Sequence, residues 1–162
     1  MQVKFALLAL LSVAGPLILS AQTSDAEAEA VINLLGIQKR EAIARLVPVY
    51  GKDSAAFWKI YEEYQQGNRA TAKDRLQLYE GTALSYQRMT PQVADSLGQL
   101  YFKNRMDQER TLETYYKKIK TATNAVVAFE FYQAEIYLLT MIRAQIMQKI
   151  PTYGQLQPAP GR

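Results

Sequence analysis

Glu62-Glu63, and Glu130 with Glu135, are the carboxylate pairs from which acid–base or metal chemistry would have to be built. Neighbours on a helix diverge by about 100°, and residues five apart diverge as well, so neither pair converges on one point. A helical di-metal centre would need Glu-x-x-His, and the chain has no His. It has no Cys either, which removes thiolate nucleophiles, Cys–His pairs and ordinary zinc or haem sites. Its 8 Gly fall in neither a G-x-G-x-x-G nor a G-x-x-x-x-G-K pattern, so the common phosphate-cradling loops are absent. We expect no enzyme, no cofactor and no metal. A single acid such as Glu135, set within Phe131–Leu139, is expected to be an internal partner for Arg143 or for a Tyr hydroxyl.

What remains is binding chemistry. Lys103, Arg110 and Lys117 stand seven residues apart and therefore share one stripe of a helix. Arg69 and Lys73 form a second basic pair upstream, and Arg69 to Lys120 carries a surplus of four positive charges. These five residues define a candidate client-binding face for acidic or unfolded chains, or for anionic surfaces. The alternative is a solvated face held by i,i+4 pairs: Lys103–Asp107, Arg105–Glu109 and Glu113–Lys117. Phe57, Trp58, Tyr61 and Tyr64 likewise read in two ways, as a ligand-binding face or as the seal of a core between helices; their helical spacing favours the core. With 11 Tyr in the chain, some hydroxyls are expected on a wet surface.

The elements that must position these residues are helical. Val31, Ile32, Leu35, Ile43 and Leu46 recur at helical spacing until Pro48, with Gly36 inside the run. Asp53 or Ser54 is the expected cap of a second helix reading on to Arg88, about 50 Å if continuous, with a kink expected in the polar, Gly67-containing stretch Gln65–Lys73. Met89-Thr90-Pro91 is the clearest boundary, Thr90 as N-cap and Pro91 at the first helical position. So short a loop implies an antiparallel hairpin, with Leu97, Leu100 and Leu112 of the third helix turned towards Tyr79 and Tyr86. Val93, Tyr115 and Ile119 complete that stripe. Thr123 is the expected cap of a fourth helix, striped by Phe129, Tyr132, Ile136, Leu139, Ile146 and Ile150 and ended by Pro151. No alternating run bounded by turn residues suggests a strand. The expected fold class is all-α: about four helices in long antiparallel hairpins.

Residues 1–21 have the layout of a secretory signal: Lys4, an apolar run from Phe5 to Ala14, the break Gly15-Pro16, then Ser20-Ala21 before Gln22. No Cys follows that run to carry a lipid, and no second apolar stretch looks long enough to span a membrane. The expected organisation is a cleaved signal peptide over 1–21, one helical domain over 22–151 and a flexible tail over 152–162. The mature chain is expected to be soluble in the periplasm, without stable membrane insertion, and open to homodimer formation. Without disulfides it must be stabilised by packing alone, which 49% hydrophobic residues allow.

The segment Ala56-Phe57-Trp58-Lys59-Ile60-Tyr61-Glu62-Glu63-Tyr64 resembles the F-W-x-I-Y-x-E-Y signature of a group of small exported bacterial proteins. That group also shows Y-Y/F-x-K, matched by Tyr115-Tyr116-Lys117-Lys118, and F-x-Q-x-E, approximated by Phe131-Tyr132-Gln133-Ala134-Glu135. Its Ile-Pro close is matched by Ile150-Pro151. The resemblance runs from Ile37 to Pro151. The group looks like a set of distant relatives of the Spy/CpxP helical-hairpin family of periplasmic stress proteins, which includes a chaperone and a sensor-kinase modulator. That family's L-T-x-x-Q motif is approached by Met89-Thr90-Pro91-Gln92-Val93, with Met for Leu and Gln one position early. The resemblance implies an ATP-independent binding protein for unfolded or envelope proteins. The alternative is an adaptor that docks on one envelope partner, such as a sensor domain. A carrier of an apolar small molecule between the helices is a third class. Nucleic acid is not an expected partner, given the export signal and the modest charge.

Overall fold

The computed structural model describes residues 25–149, with side chains placed for residues 35–86 and 88–144. The expected signal peptide, the tail and the Ile150-Pro151 close lie outside the described residues, as do the side chains of Val31, Ile32 and Ile146. Five helices account for nearly all of it: α1 (Asp25–Leu46), α2 (Lys52–Gly67), α3 (Arg69–Ser85), α4 (Pro91–Ala122) and α5 (Ala125–Lys149). A 3-10 turn, Tyr86–Arg88, closes α3, and no strand occurs among the described residues. The fold is all-α.

The expected second helix is two, α2 and α3, broken at Asn68. There ψ is −6°, flatter than a helical residue's, and the path bends. The hydrogen-bond ladder nevertheless passes through: Asn68 N–H donates to the Tyr64 carbonyl (2.9 Å) and Ala72 N–H to the Asn68 carbonyl (3.0 Å). Gly67 and Asn68 are both weak helix formers, which places the kink inside the polar stretch. Counted as rods, then, α1, α2–α3, α4 and α5 are four.

Side-chain contacts trace the rods in a ring at one level. Arg40 of α1 meets Glu62 of α2, and Glu63 of α2 meets Lys118 of α4. Tyr116 of α4 packs edge-on to Tyr132 of α5, and Glu135 of α5 returns to Lys39 of α1. Glu62 and Glu63 thus clasp different helices, as their divergence on α2 requires. Further along, Arg75 reaches Asn104 and Thr82 reaches Tyr101, so numbers rise on one rod as they fall on the next. The α3–α4 pair is an antiparallel hairpin, in an up-and-down bundle.

Local chemistry sets the ends, in two places at residues a few positions from expectation. Thr90 Oγ1 accepts from Val93 N–H (3.3 Å) with Pro91 as first residue of α4, as its sequence implies. At α2 neither Asp53 nor Ser54 caps. Gly51 holds the N-cap position at φ 62°, a left-handed value suited to glycine, and Asp53 falls in the positive first turn. At α5 the cap is Asn124, not Thr123: Asn124 Oδ1 accepts from Val126 N–H (2.9 Å) and Val127 N–H (3.1 Å). Thr123 instead donates its hydroxyl back to the Ile119 carbonyl (2.8 Å) and finishes α4.

The main core gathers Ala42 and Ile43 of α1 with Val47 just beyond its end, the aromatic residues of α2, Leu112 and Ile119 of α4, and the α5 face Val127, Ala128, Phe131, Ala134, Leu138 and Leu139. That α5 face lies one step round from the expected stripe, and Phe129 is exposed. Because α5 is apolar nearly all round, periodicity could not select its buried side. By length and composition Ala125–Ala144 is apolar enough to cross a membrane, contrary to the expectation that no such stretch follows the signal; one side of it is occupied by the bundle core. Leu112 joins the main core, Tyr79 packs against Tyr101 (5.7 Å between rings), and Leu100 is 52% exposed, so the expected Leu–Tyr packing of the hairpin is not formed as a set.

Candidate functional site

The five basic residues of the candidate face do not converge. Lys103 and Arg110 share one acid, Asp107, at 2.7 Å and 3.6 Å, and Lys117 pairs with Glu113 along the same helix. Lys103 holds the Asp107 carboxyl below the usual carboxylate range, and Lys117 does the same to Glu113. Lys103–Asp107 and Glu113–Lys117 are the i,i+4 pairs expected of a solvated face. Arg69 lies elsewhere, on the wall of a cavity shared with α1 and α5. Lys73 is half-buried on α3 with interactions of its own. The apolar company of the α4 stripe is Leu100 and Met106, three residues either side of Lys103, and Phe102, 72% exposed. Tyr101, by contrast, turns to Tyr79 and to the Thr82 hydroxyl. A groove of about 400 Å³ between α3 and α4, lined by Leu78, Leu97, Leu100 and Lys103, runs beside this stripe.

The aromatic residues of α2 form the core. Phe57, Tyr61 and Tyr64 are fully buried around Phe131, whose ring meets those of Phe57 and Tyr64 edge-on at 6.4 and 5.4 Å. Burying Tyr64 requires a partner for its hydroxyl, and it donates to Glu135 Oε2 at 2.7 Å. Glu135, at 0% exposure, is also bridged at 2.6 Å by Lys39 Nζ, which sits 5.0 Å from the Tyr64 ring centre. The Tyr partner matches expectation; the cation comes from Lys39 of α1, not from Arg143. Sequence reasoning missed Lys39 because a lysine on a polar-looking helix reads as surface. The available signal was its spacing: Lys39 lies four residues before Ile43 and eight before Val47, on their buried face. Burial, reinforced by the Glu135 charge, pushes both Tyr61 and Tyr64 well above the usual phenol range.

Beside this polar centre, where α2 breaks into α3, a cavity of about 440 Å³ opens between α1, α3 and α5. Leu76, Leu139 and Ile142 give it an apolar wall; Lys39, Tyr61 and Gln65 form the polar end, Gln65 donating its amide to the Tyr61 hydroxyl. Asn68 and Arg75 line it as well. Asn68 is 5% exposed, and its Oδ1 has no hydrogen-bond partner. Arg75 Nε donates to Asn104 Oδ1 (3.2 Å), but the buried Nη2 has no acceptor. Burial, with Arg143 adding a like charge, lowers the Arg75 pKa. Such a site presents donors and positive charge at the edge of an apolar space, an arrangement suited to recognition. Among the described residues no cluster of three or more His, Cys, Asp or Glu gathers around a point. Comparison with protein-family models, curated proteins and solved structures returned no match.

Proposed function

We propose that this is an exported, non-enzymatic binding protein of the periplasm that handles unfolded or damaged envelope proteins without ATP, in the manner of the Spy/CpxP family it resembles. One observation carries the reading: on α4 the cations Lys103, Arg110 and Lys117 share an exposed face with Leu100, Phe102 and Met106, beside the α3–α4 groove. Positive charge steers acidic chains, while exposed apolar side chains hold extended segments without demanding a sequence. Exposed charges are screened within about 8 Å at physiological salt, so binding is weak and faster at low salt.

A several-fold excess of the protein should suppress aggregation of several denatured substrates. Reversing Lys103, Arg110 and Lys117 to Glu should weaken that suppression with helicity unchanged by circular dichroism. No suppression at low or moderate salt refutes the reading. Export and cleavage are tested separately: periplasmic material whose intact mass still includes residues 1–21 refutes a mature chain beginning at Gln22, and protein found only in the cytoplasm refutes export.

A second reading, an adaptor for one envelope partner, is favoured by a different surface. Val126, Phe129 and Tyr137 are exposed along one side of α5, with the polar Gln133 between the last two. Its signature in a pull-down from envelope extract is one stoichiometric protein, where a chaperone would recover many at low occupancy.

A further inference from the structure

The cavity beside the α2–α3 break is separate from the α4 stripe and makes no use of it. Its wall is unevenly charged. Lys39, Arg40, Arg69 and Arg75 line it, against Glu62 as the one acid among the described lining residues. Lys39 is committed to Glu135 and Arg40 to Glu62, while the buried Nη2 of Arg75 lacks an acceptor. A buried donor left unpaired costs about 1–3 kcal/mol, more when charged, and native folds keep few of them. Asn68, whose Oδ1 is also unpaired, offers the cavity either end of its amide by a half-turn about its last torsion. The aliphatic part of the wall is Leu76, next to Arg75 on α3, with Leu139 and Ile142 of α5. A volume of about 440 Å³ lies in the range of small-molecule sites.

We propose that this cavity binds a carboxylate-headed apolar molecule of medium chain length, its head on Arg75 and Asn68 with Arg69 at the rim, and its chain against Leu76, Leu139 and Ile142. The carboxylate supplies the acceptor that Arg75 Nη2 lacks and adds negative charge to a wall of four cations and one acid. The hydrocarbon replaces water on the aliphatic side. No covalent step is involved.

The test uses the purified full chain. Its one tryptophan, Trp58, lies 4.6 Å from the guanidinium of cavity-lining Arg40, so its fluorescence reports on occupancy. Decanoate, kept below its own aggregation threshold, is titrated by fluorescence and calorimetry. Decanol, decyltrimethylammonium and inorganic phosphate serve as the neutral, cationic and chainless controls. Decanoate should saturate at one molecule per chain with Kd on the order of micromolar, and bind at least about ten-fold more tightly than each control. Arg75→Met should weaken it by about ten-fold or more, and Lys120→Met, on the exposed side of α4 and outside both sites, should leave it unchanged. Should Arg75→Met fail to fold, Arg69→Met at the rim and Leu76→Phe within the cavity replace it, and each should weaken binding. Absence of saturable decanoate binding overturns the proposal. So does decanol binding as tightly as decanoate, or affinity unchanged in both Arg69→Met and Leu76→Phe.

Discussion

Lys39, Glu135 and Tyr64 make a charged contact inside an aromatic core, and each depends on the others. Removing one member of a buried ion pair strands the other charge, a loss of about 3–5 kcal/mol, whereas replacing both by apolar groups is often close to neutral. Lys39→Met alone should therefore destabilise the protein by about that amount, and Lys39→Met with Glu135→Leu should recover only part of it in urea unfolding, because the buried Tyr64 hydroxyl then loses its acceptor at a cost of about 1–3 kcal/mol. The buried phenols set a second residue-level behaviour. Tyr61 and Tyr64 have folded pKa values raised above the ordinary 10.0, by burial first and then by Glu135. A group whose pKa is raised on folding contributes stability below its unfolded pKa, and that contribution is lost as pH rises past it. Stability should hold up to about pH 10 and then fall steeply, with unfolding and phenolate absorbance appearing together. Phenolate absorbance from all 11 Tyr while near-ultraviolet circular dichroism stays native would contradict it.

Among the elements, the helix ends carry measurable energy. Asn124 satisfies two otherwise unpaired N–H groups of α5, so Asn124→Ala should cost about 1 kcal/mol. Thr123 bonds only a carbonyl of its own preceding helix, so Thr123→Ala should cost clearly less. Gly51→Ala meets no neighbouring atom but is forced to φ 62° and ψ −139°, backbone that essentially only glycine adopts, at a cost of about 1–3 kcal/mol. Equal losses at Asn124 and Thr123 in chemical denaturation would reverse the assignment of the cap. The Asn68 break belongs to this scale too. It ends α2 where the core ends and turns α3 towards the cavity, which is how Arg69, Ala72, Arg75 and Leu76 come to line one wall.

For the molecule as a whole, the uneven distribution of core along the bundle matters most. The main cluster lies where α1, α2, the second half of α4 and the first half of α5 surround the α2 aromatic residues. Towards the 3-10 turn, α3 buries Leu78 and Tyr79, and the facing start of α4 carries half-exposed or exposed Leu97, Leu100 and Phe102. Local opening follows local burial. Amide exchange should be slowest at Tyr61–Tyr64, Leu112–Ile119 and Phe131–Leu139, and faster by orders of magnitude from about residue 80 to 100. Uniform protection along α4 would refute this gradient. A loosely held hairpin end beside a basic and apolar face is also what the proposed capture of extended chains requires.

Sequence alone determined the helical class and most boundaries, because these rest on local chemistry: Pro48, the Thr90-Pro91 cap, and Gly67 beside Asn68 act within a turn or two of their own positions. It also made the aromatic run of α2 legible as core, since only one face of that helix is strongly apolar. Tertiary structure decided what depends on partners far along the chain. α5 is apolar on nearly every side, so its buried face was chosen by α1 and α4, not by its own period. Lys39 became the counter-ion of Glu135, 96 residues away, because the ring of rods brings α1 beside α5. The cavity lies beside the break at Asn68, on walls contributed by α1, α2, α3 and α5 together, so no single helix carries it. Local bonds are written residue by residue, whereas burial and charge pairing are fixed only when the helices have met.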